Sequence, residues 1–312
     1  MKVYVTRPLP KKVIASLSEF ADVTVRSETT GLSPNAMNKL MQAHEIILCT
    51  LGDITTDFKG DLKCKLLANF GVGYNHIDVV AAKAAGLNVT NTPGAVTDAT
   101  ADIALTLMLM TARRAGEGER LLRAGNWEGW HPTQLLGTHV SGKTLGVIGM
   151  GRIGEAIARR CHFGFGMDVV FYNRSPKKQV FPAHQMASLK EVMAVADFVS
   201  VSIPGGPETK HLIGAQEFSA MKSTAFLINT SRGEVVDEAA LVAALKSGQI
   251  AGAGLDVYEF EPKVPASFLT MQNVTLLPHL GTAALTVREE MGMMAVANIH
   301  AYANGNTLIN LV

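Results

Sequence analysis

Cysteine is scarce in this chain of 312 residues: Cys49, Cys64 and Cys161 form an odd set with no metal-type spacing. That excludes a disulfide scaffold and a cysteine-based metal site, and it points to reduced thiols in a reducing compartment. An excess of charge of either sign is also missing. Lys and Arg number 28 against 27 Asp and Glu, for a net charge of +1. Such a balance leaves no electrostatic footprint for nucleic acid or for an anionic membrane. Long hydrophobic runs are absent too, and the apolar stretch 103–110 is far too short to span a bilayer. The N-terminus, Met1-Lys2-Val3-Tyr4-Val5-Thr6-Arg7-Pro8, reads as a strand and turn rather than a signal peptide. Neither an internal repeat nor a low-complexity tract is visible. The expectation is a soluble cytoplasmic protein, with length enough for two domains that each have a full core.

Glycine, by contrast, is plentiful at 29 residues, and one glycine run is especially informative. Gly149-Met150-Gly151-Arg152-Ile153-Gly154 follows an apolar run at 144–148 and opens an apolar-periodic segment reaching about residue 161. A second apolar run follows at 168–172. Strand, glycine turn, helix and strand form the context that lifts a G-x-G-x-x-G match above chance. The first glycine allows a tight turn, the second lets backbone approach a pyrophosphate, and the third lets helix and strand pack closely. Free N–H groups and the positive dipole end of the helix then face the phosphates. The second strand ends in Asn173-Arg174-Ser175. An NAD site usually has Asp or Glu here for the ribose 2′-hydroxyl, whereas an arginine accommodates a 2′-phosphate. Arg174 stands twenty residues past Gly154, so these residues predict NADP(H) rather than NAD(H). The plainer alternative for Arg174 is a solvated loop cation.

The segment before the glycine motif alternates short strands and helices. Strands are expected at 2–6, 23–26, 46–50, 66–69 and 88–90, and helices at 10–20, 35–43 and 77–85. Alternation of this kind predicts an α/β fold with a parallel sheet covered by helices. Residues 98–114 read as one long apolar helix, a candidate connector between domains. Residues 116–142 read as irregular and contain Trp127, Trp130 and His131; a loop that long usually has a function or forms a lid. Beyond the glycine motif, strands are expected at 198–203, 225–229, 254–257 and 274–277. Helices are expected at 188–194, 237–246 and 287–302, and residues 307–312 read as a short extended tail.

Three charged or titratable residues fall just past these later strands. Arg232 lies in Asn229-Thr230-Ser231-Arg232-Gly233, Glu261 in Asp256-Val257-Tyr258-Glu259-Phe260-Glu261-Pro262, and His279 in Pro278-His279-Leu280-Gly281. Open parallel sheets bind ligands outside the carboxyl ends of their strands, so the three are expected to converge where the dinucleotide lies. Reduction of a 2-oxo acid needs a hydride donor, a proton donor for the carbonyl oxygen and a partner for the carboxylate. Imidazole suits proton transfer near neutrality, an adjacent carboxylate favours the imidazolium, and guanidinium binds a carboxylate bidentately. Taken singly, His279 reads as a satisfied structural group, Glu261 as an exposed loop acid and Arg232 as a surface partner of Asp237. The combination at successive strand ends favours function. Glu259 competes with Glu261, and residue chemistry alone leaves the two open.

The ordered set formed by the glycine motif, Thr230-Ser231-Arg232-Gly233, Asp256-Val257-Tyr258 with Glu261-Pro262, and Pro278-His279-Leu280-Gly281 resembles the D-isomer-specific 2-hydroxyacid dehydrogenase family. Gly71-Val72-Gly73-Tyr74-Asn75-His76-Ile77-Asp78 and Asn91-Thr92-Pro93-Gly94 resemble that family's first domain, so the likeness covers nearly the whole chain. It implies two doubly wound parallel-sheet domains, a Rossmann nucleotide domain at 99–285 inserted into a flavodoxin-like substrate domain at 1–98 and 286–312. It implies that Glu261, directly before proline, partners His279, and that the backbone of Val72 and Gly73 binds the substrate carboxylate beside Arg232. For the dinucleotide it implies contacts from Thr100, Arg152, Ile153, Ile203, Pro204, Thr209, Thr230 and Gly281, with Asp256 on the nicotinamide amide. His76 and Asp78 are expected to be structural, at a helix start. Within the family the chain is most similar to the glyoxylate/hydroxypyruvate reductases. That is suggested by Thr97-Asp98-Ala99-Thr100-Ala101-Asp102, the Trp127/Trp130 loop and Asn173-Arg174-Ser175. The implied activity is NADPH-dependent reduction of small 2-oxo acids by a homodimer, with Trp130 as a candidate wall of the substrate pocket and no metal. Rival readings are another enzyme of the same scaffold, such as formate or phosphite dehydrogenase or an NAD-linked D-lactate or phosphoglycerate enzyme, and a dinucleotide-sensing corepressor.

Overall fold

Short, almost fully apolar runs between polar turns make up both sheets, and burial on both faces explains why these runs do not alternate. The computed structural model describes residues 1–312. Along the chain come β1 (Lys2–Val5), α1 (Lys11–Ser18), β2 (Asp22–Val25), α2 (Pro34–Ala43), β3 (Ile46–Thr50), β4 (Leu66–Phe70), α3 (Val79–Ala84) and β5 (Asn88–Thr90). Then follow α4 (Thr97–Ala112), α5 (Ala115–Arg123), β6 (Thr144–Ile148), α6 (Arg152–Phe165), β7 (Asp168–Tyr172), β8 (His184–Gln185), α7 (Leu189–Val195) and β9 (Phe198–Val201). The rest are α8 (Ala215–Ala220), β10 (Phe226–Asn229), α9 (Glu238–Lys246), β11 (Gly252–Leu255), α10 (Ala266–Thr270), β12 (Val274–Leu276) and α11 (Leu285–Ala303). Two compact units result, residues 1–96 with 282–312, and residues 97–281.

The first unit carries a five-stranded sheet in the order β2-β1-β3-β4-β5, every pair parallel. That is the flavodoxin-like order. Alternate residues of β3 feed opposite cores, as the pleat requires. Ile46 and Leu48 pack with Val13 and Leu17 of α1 and with Val296 and Ile299 of α11. Ile47 and Cys49 pack with Met37 and Met41 of α2. Burial of each such Leu or Ile contributes about 1.5–3 kcal/mol. Ser33 caps α2 by accepting from the Ala36 N–H at 3.3 Å, and Asp78 caps α3 by accepting from the Ala81 N–H at 2.9 Å. The C-terminal tail is tied down at Leu311, which bridges Thr90.

The second unit carries a seven-stranded sheet in the order β12-β11-β10-β9-β6-β7-β8, again wholly parallel. Strand order reverses between β6 and β9, the switch point at which a doubly wound sheet opens a ligand crevice. Helix α4 is a full member of this unit. Its Ala101, Ala104, Leu107 and Met108 share a core with Leu145, Val147 and Ile157. Backbone approach is close there, since a Cβ on Gly254 would lie 2.9 Å from the Leu107 Cβ. The unit boundary accordingly falls before α4, at 96/97 rather than within its first turn, and the second crossing is at 281/282.

Three features differ from the sequence reading. Residues 115–123 are helical although the region reads as irregular, because Gly116 and Gly118 hide the helix from propensity. Arg114 paired with Glu117 and Arg123 paired with Glu119 hold that helix from its surface. The short β8, α8 and α10 were not expected, being too brief to show a period. Asp237 does not pair with Arg232; its carboxylate accepts the Ala240 N–H at 3.0 Å as the cap of α9. All three cysteines are buried and free, and burial pushes the Cys64 and Cys161 thiols up to about 12, which leaves them unreactive. No helix is long and apolar enough to cross a membrane.

Candidate active site

The glycine turn after β6 is shaped by what surrounds each glycine. Gly149 has φ +94°, and a Cβ there would meet the Ile203 Cγ2 at 2.4 Å and the Ser202 carbonyl at 2.6 Å. A Cβ on Gly154 would lie 2.2 Å from the Gly149 carbonyl oxygen, so the first turn of α6 presses directly on the loop. Gly151 differs: a Cβ there would meet nothing within 4 Å. Gly151 is also the N-cap of α6 and supplies no side-chain cap, so the helix presents uncapped N–H groups beside open space. That combination fits a pyrophosphate. The buried Thr230 hydroxyl, just past β10, has no protein partner, a second polar atom suited to a ligand. Gly154→Ala is expected to destabilise the fold by about 1–3 kcal/mol through overpacking. Gly151→Ala should leave thermal unfolding near wild type while weakening dinucleotide affinity at least tenfold. Equal losses of stability in the two variants would contradict this division of roles.

At the far end of β7, Asn173 Nδ2 donates to the Ser175 carbonyl at 3.0 Å, and Gln185 of β8 donates to the carbonyls of Asn173 and Ser175. The Arg174 guanidinium reaches away from this turn and pairs with Glu208 at 2.9 Å. On the loop after β9, the Thr209 hydroxyl donates to the Pro204 carbonyl at 2.7 Å, closing the turn that carries Ile203 and Pro204.

The titratable cluster forms at the carboxyl ends of β10, β11 and β12, in one unit. His279 Nδ1 lies 2.8 Å from Glu261 Oε2; an ionised carboxylate only accepts, so Nδ1 carries the proton and donates. The other Glu261 oxygen accepts the Tyr258 N–H at 3.0 Å. His279 has φ +55°, the left-handed region, at a cost of about 1–3 kcal/mol. Asp256 makes this conformation hold. Its two carboxylate oxygens accept the N–H groups of Leu280 at 2.6 Å and Gly281 at 2.7 Å, and its carbonyl accepts that of His279 at 2.9 Å. Each Asp256 oxygen keeps a further lone pair for a ligand. The Gly281 carbonyl in turn accepts from the Thr100 hydroxyl at 3.2 Å.

Arg232 belongs to the same cluster. Burial pulls its guanidinium below its ordinary value, against the opposing charges of Glu261 and Glu234. Partial burial would raise the Glu261 carboxyl, but the hydrogen bond and charge of His279, the Tyr258 N–H and the Arg232 charge outweigh it and hold Glu261 below the ordinary carboxylate value. Asp256 shifts the other way: burial raises it, and the two loop N–H groups only partly compensate. The depressed Glu261 carries a pH signature. Its stabilising contribution is complete above the unfolded value of about 4.3 and is lost as the pH falls through the lower folded value. Urea unfolding should therefore separate wild type from Glu261→Gln at pH 7 and show the gap narrowing as the pH falls below about 4. A gap independent of pH would refute the assignment.

The structure separates the two acids that sequence left open. Glu259, two residues from Glu261, faces a different histidine: its Oε1 accepts from His211 Nε2 at 2.8 Å, and its N–H donates to Glu238 at 3.0 Å. Nothing in the local sequence marks His211 as a partner for an acid. Val72 and Gly73 lie in the first unit, in the turn after β4, where Asn91 Nδ2 donates to the Val72 carbonyl at 2.9 Å and Asn69 Nδ2 to the Gly73 carbonyl at 3.2 Å. His76 is buried, and Trp127 and Trp130 are exposed. No group of three or more His, Cys, Asp or Glu side chains is arranged to hold a metal ion.

A doubly wound sheet with a glycine cradle at its switch point and a His–Glu pair beside a half-buried arginine defines a dinucleotide-dependent oxidoreductase. Residues 105–281 match the family model described as D-isomer specific 2-hydroxyacid dehydrogenase, NAD binding domain. The chain is similar to the glyoxylate reductase of Thermococcus kodakarensis, at 41% identity over 99% of this chain and 96% of that one. It is similar to the glyoxylate reductase of Pyrococcus horikoshii at 40% identity over the same shares. Among solved structures it superposes on the NADPH-dependent glyoxylate/hydroxypyruvate reductase of Sinorhizobium meliloti in complex with NADP and malonate. The TM-score is 0.86, at 34% identity over 100% of this chain and 96% of that one. The chain belongs to the D-isomer-specific 2-hydroxyacid dehydrogenase family and is an oxidoreductase acting on the CH–OH group of its donors.

Proposed function

We propose that this protein reduces small 2-oxo acids with NADPH, glyoxylate to glycolate and hydroxypyruvate to D-glycerate. The observation that carries this reading is the 2.8 Å pair between His279 and Glu261 within the electrostatic reach of Arg232. A nicotinamide dinucleotide held by the glycine cradle after β6 would supply the hydride that reduction of a carbonyl carbon needs. Arg232 holds the substrate carboxylate through its planar fork, which keeps the carbonyl in a fixed orientation. His279 gives a proton to the carbonyl oxygen, so hydride and proton together convert C=O to CH–OH. Glu261 fixes the ring through Nδ1 and offsets the positive charge it carries, as a carboxylate does for a general acid–base histidine. Asp256 holds the loop that bears His279 and offers its remaining lone pairs to the nicotinamide amide. Gly149, Gly151, Arg152, Ile153 and Gly154 would cradle the pyrophosphate; Ile203, Pro204 and Thr209 would border the adenosine, and Thr100, Thr230 and Gly281 would complete the contacts. A backbone contribution from Val72 and Gly73 to carboxylate binding rests on the family resemblance.

NADPH preference rests on Arg174 and Ser175 after β7, where the chain has no Asp or Glu of its own at the strand end to receive a ribose 2′-hydroxyl. The relatives named for glyoxylate and hydroxypyruvate reduction support the substrate class. A panel of glyoxylate, hydroxypyruvate, pyruvate and phosphohydroxypyruvate, run with NADPH and NADH side by side, tests the whole reading. Glyoxylate or hydroxypyruvate with NADPH is expected to give the highest kcat/KM. Arg174→Asp should move the cofactor ratio toward NADH by about tenfold or more, and an unchanged ratio would remove the phosphate clamp. The implied homodimer is checked by light scattering, where a monomeric mass would overturn it.

A further inference from the structure

The acid missing from the end of β7 is supplied from elsewhere. Glu208, on the loop after β9, places Oε2 2.9 Å from Nη1 of Arg174, although the two residues are 34 positions apart. This loop is not a loose tip. The N–H groups of Thr209 and Lys210 both donate to the Gly206 carbonyl at 3.0 Å, and the Thr209 hydroxyl closes the same turn on Pro204. At its base, Gly205 sits so near the turn that follows β10 that a Cβ there would lie 2.3 Å from Glu234 Oε1. Just past the turn, the His211 N–H donates to the Glu234 carbonyl at 2.8 Å, so the carboxylate of Glu208 is presented to Arg174 by a turn closed by its own hydrogen bonds and tied down at its C-terminal side.

We propose that Glu208 sets cofactor selectivity, narrowing the preference for NADPH over NADH by competing for Arg174; this rests on the reading of Arg174 as the 2′-phosphate anchor. The heads of both side chains are about four-fifths exposed, at 80% and 82%. An exposed single-point ion pair of this kind is weak, and a phosphate of nearly two negative charges displaces it. Displacement leaves Glu208 close by as a like charge, which penalises the phosphorylated cofactor. With the unphosphorylated cofactor the pair stays intact, and a carboxylate oxygen remains to accept the ribose 2′-hydroxyl in place of the acid absent from β7. One carboxylate thus acts against one cofactor and for the other through the same guanidinium.

The test is calorimetric titration of the full-length protein, without substrate, with NADPH, NADH, 2′-AMP and 5′-AMP. Glu208→Gln keeps the shape of the side chain and removes its charge. It is expected to raise the NADPH-to-NADH affinity ratio about two- to fivefold, the size of one exposed charge interaction. The ratio of 2′-AMP to 5′-AMP should move in the same direction. Arg174→Ala should lower both ratios, and in the double variant the effect of Glu208→Gln should vanish, because it acts through Arg174. A ratio unchanged or lowered by Glu208→Gln, with Arg174→Ala still lowering it, overturns the role of Glu208 while leaving the phosphate anchor standing. Ratios unmoved by Arg174→Ala overturn the anchor itself, and with it the competition.

Discussion

His279→Ala is expected to lower kcat for glyoxylate reduction by about 10²–10⁴-fold, the usual contribution of a positioned general acid. Dinucleotide affinity should change little, because the glycine cradle after β6 and the Asn173–Ser175 turn remain. The position itself complicates the choice of variant. With φ +55°, His279 occupies a backbone region that few side chains accept, and alanine there carries the same strain without the imidazole. Asn tolerates the left-handed region better, so His279→Asn provides a control in which the loop fold is favoured and proton transfer is still lost. Both variants should keep the two loop N–H bonds to Asp256, and thermal unfolding should stay within a few degrees of wild type. Near-normal turnover in either variant would end the assignment of His279 as proton donor. Loss of cofactor binding together with turnover would instead mean that the His279 loop serves the nucleotide rather than the substrate.

Arg232→Ala is the second large effect. A charge-assisted hydrogen bond contributes about 1.5–3 kcal/mol, and each 1.4 kcal/mol is a factor of ten. Loss of both bonds of a bidentate carboxylate anchor should therefore reduce kcat/KM by about 10²–10⁴-fold, with most of the loss in KM. Arg232→Lys keeps a charge but not the fork, and it should recover only part of the loss. The substitution also reaches Glu261, because Arg232 is one of the charges that hold its carboxyl low. In Arg232→Ala the Glu261 carboxyl should move up toward the ordinary range, and the acid side of the pH profile should move with it. An Arg232→Ala enzyme with unchanged KM for glyoxylate would show that the substrate carboxylate is held elsewhere.

These two residues illustrate how much of the site could be read in one dimension. Arg232, Glu261 and His279 were legible because each follows an apolar run at the carboxyl end of a parallel strand, and strand ends on one edge of a sheet must gather. The glycine spacing was legible because strand and helix can pack closely around the turn only when Gly149 and Gly154 lack a Cβ. The partner of His279 was not legible from chemistry alone. Glu259 and Glu261 differ by two positions, and only the turn closed by the Tyr258 N–H aims one at His279 and leaves the other for His211. The left-handed backbone of His279 was equally silent, since it depends on Asp256, 23 residues away, accepting two successive N–H groups. Helix α5 is silent in the sequence because two glycines weaken its local signal, while ion pairs formed in the fold support it.

Hydrophobic patterning and glycine placement by themselves determined that this chain builds an α/β fold on parallel strands, that a dinucleotide cradle opens at the Gly149–Gly154 turn, and which three strand ends bear the chemistry. These are consequences of local sterics and of period, which act within a few residues. The tertiary structure decided the pairings: which glutamate holds the histidine, that Asp256 locks the loop, and that Glu208 meets Arg174. Each depends on the direction of a side chain across the folded surface, which a few degrees of backbone rotation in a distant turn can change and which no local pattern encodes.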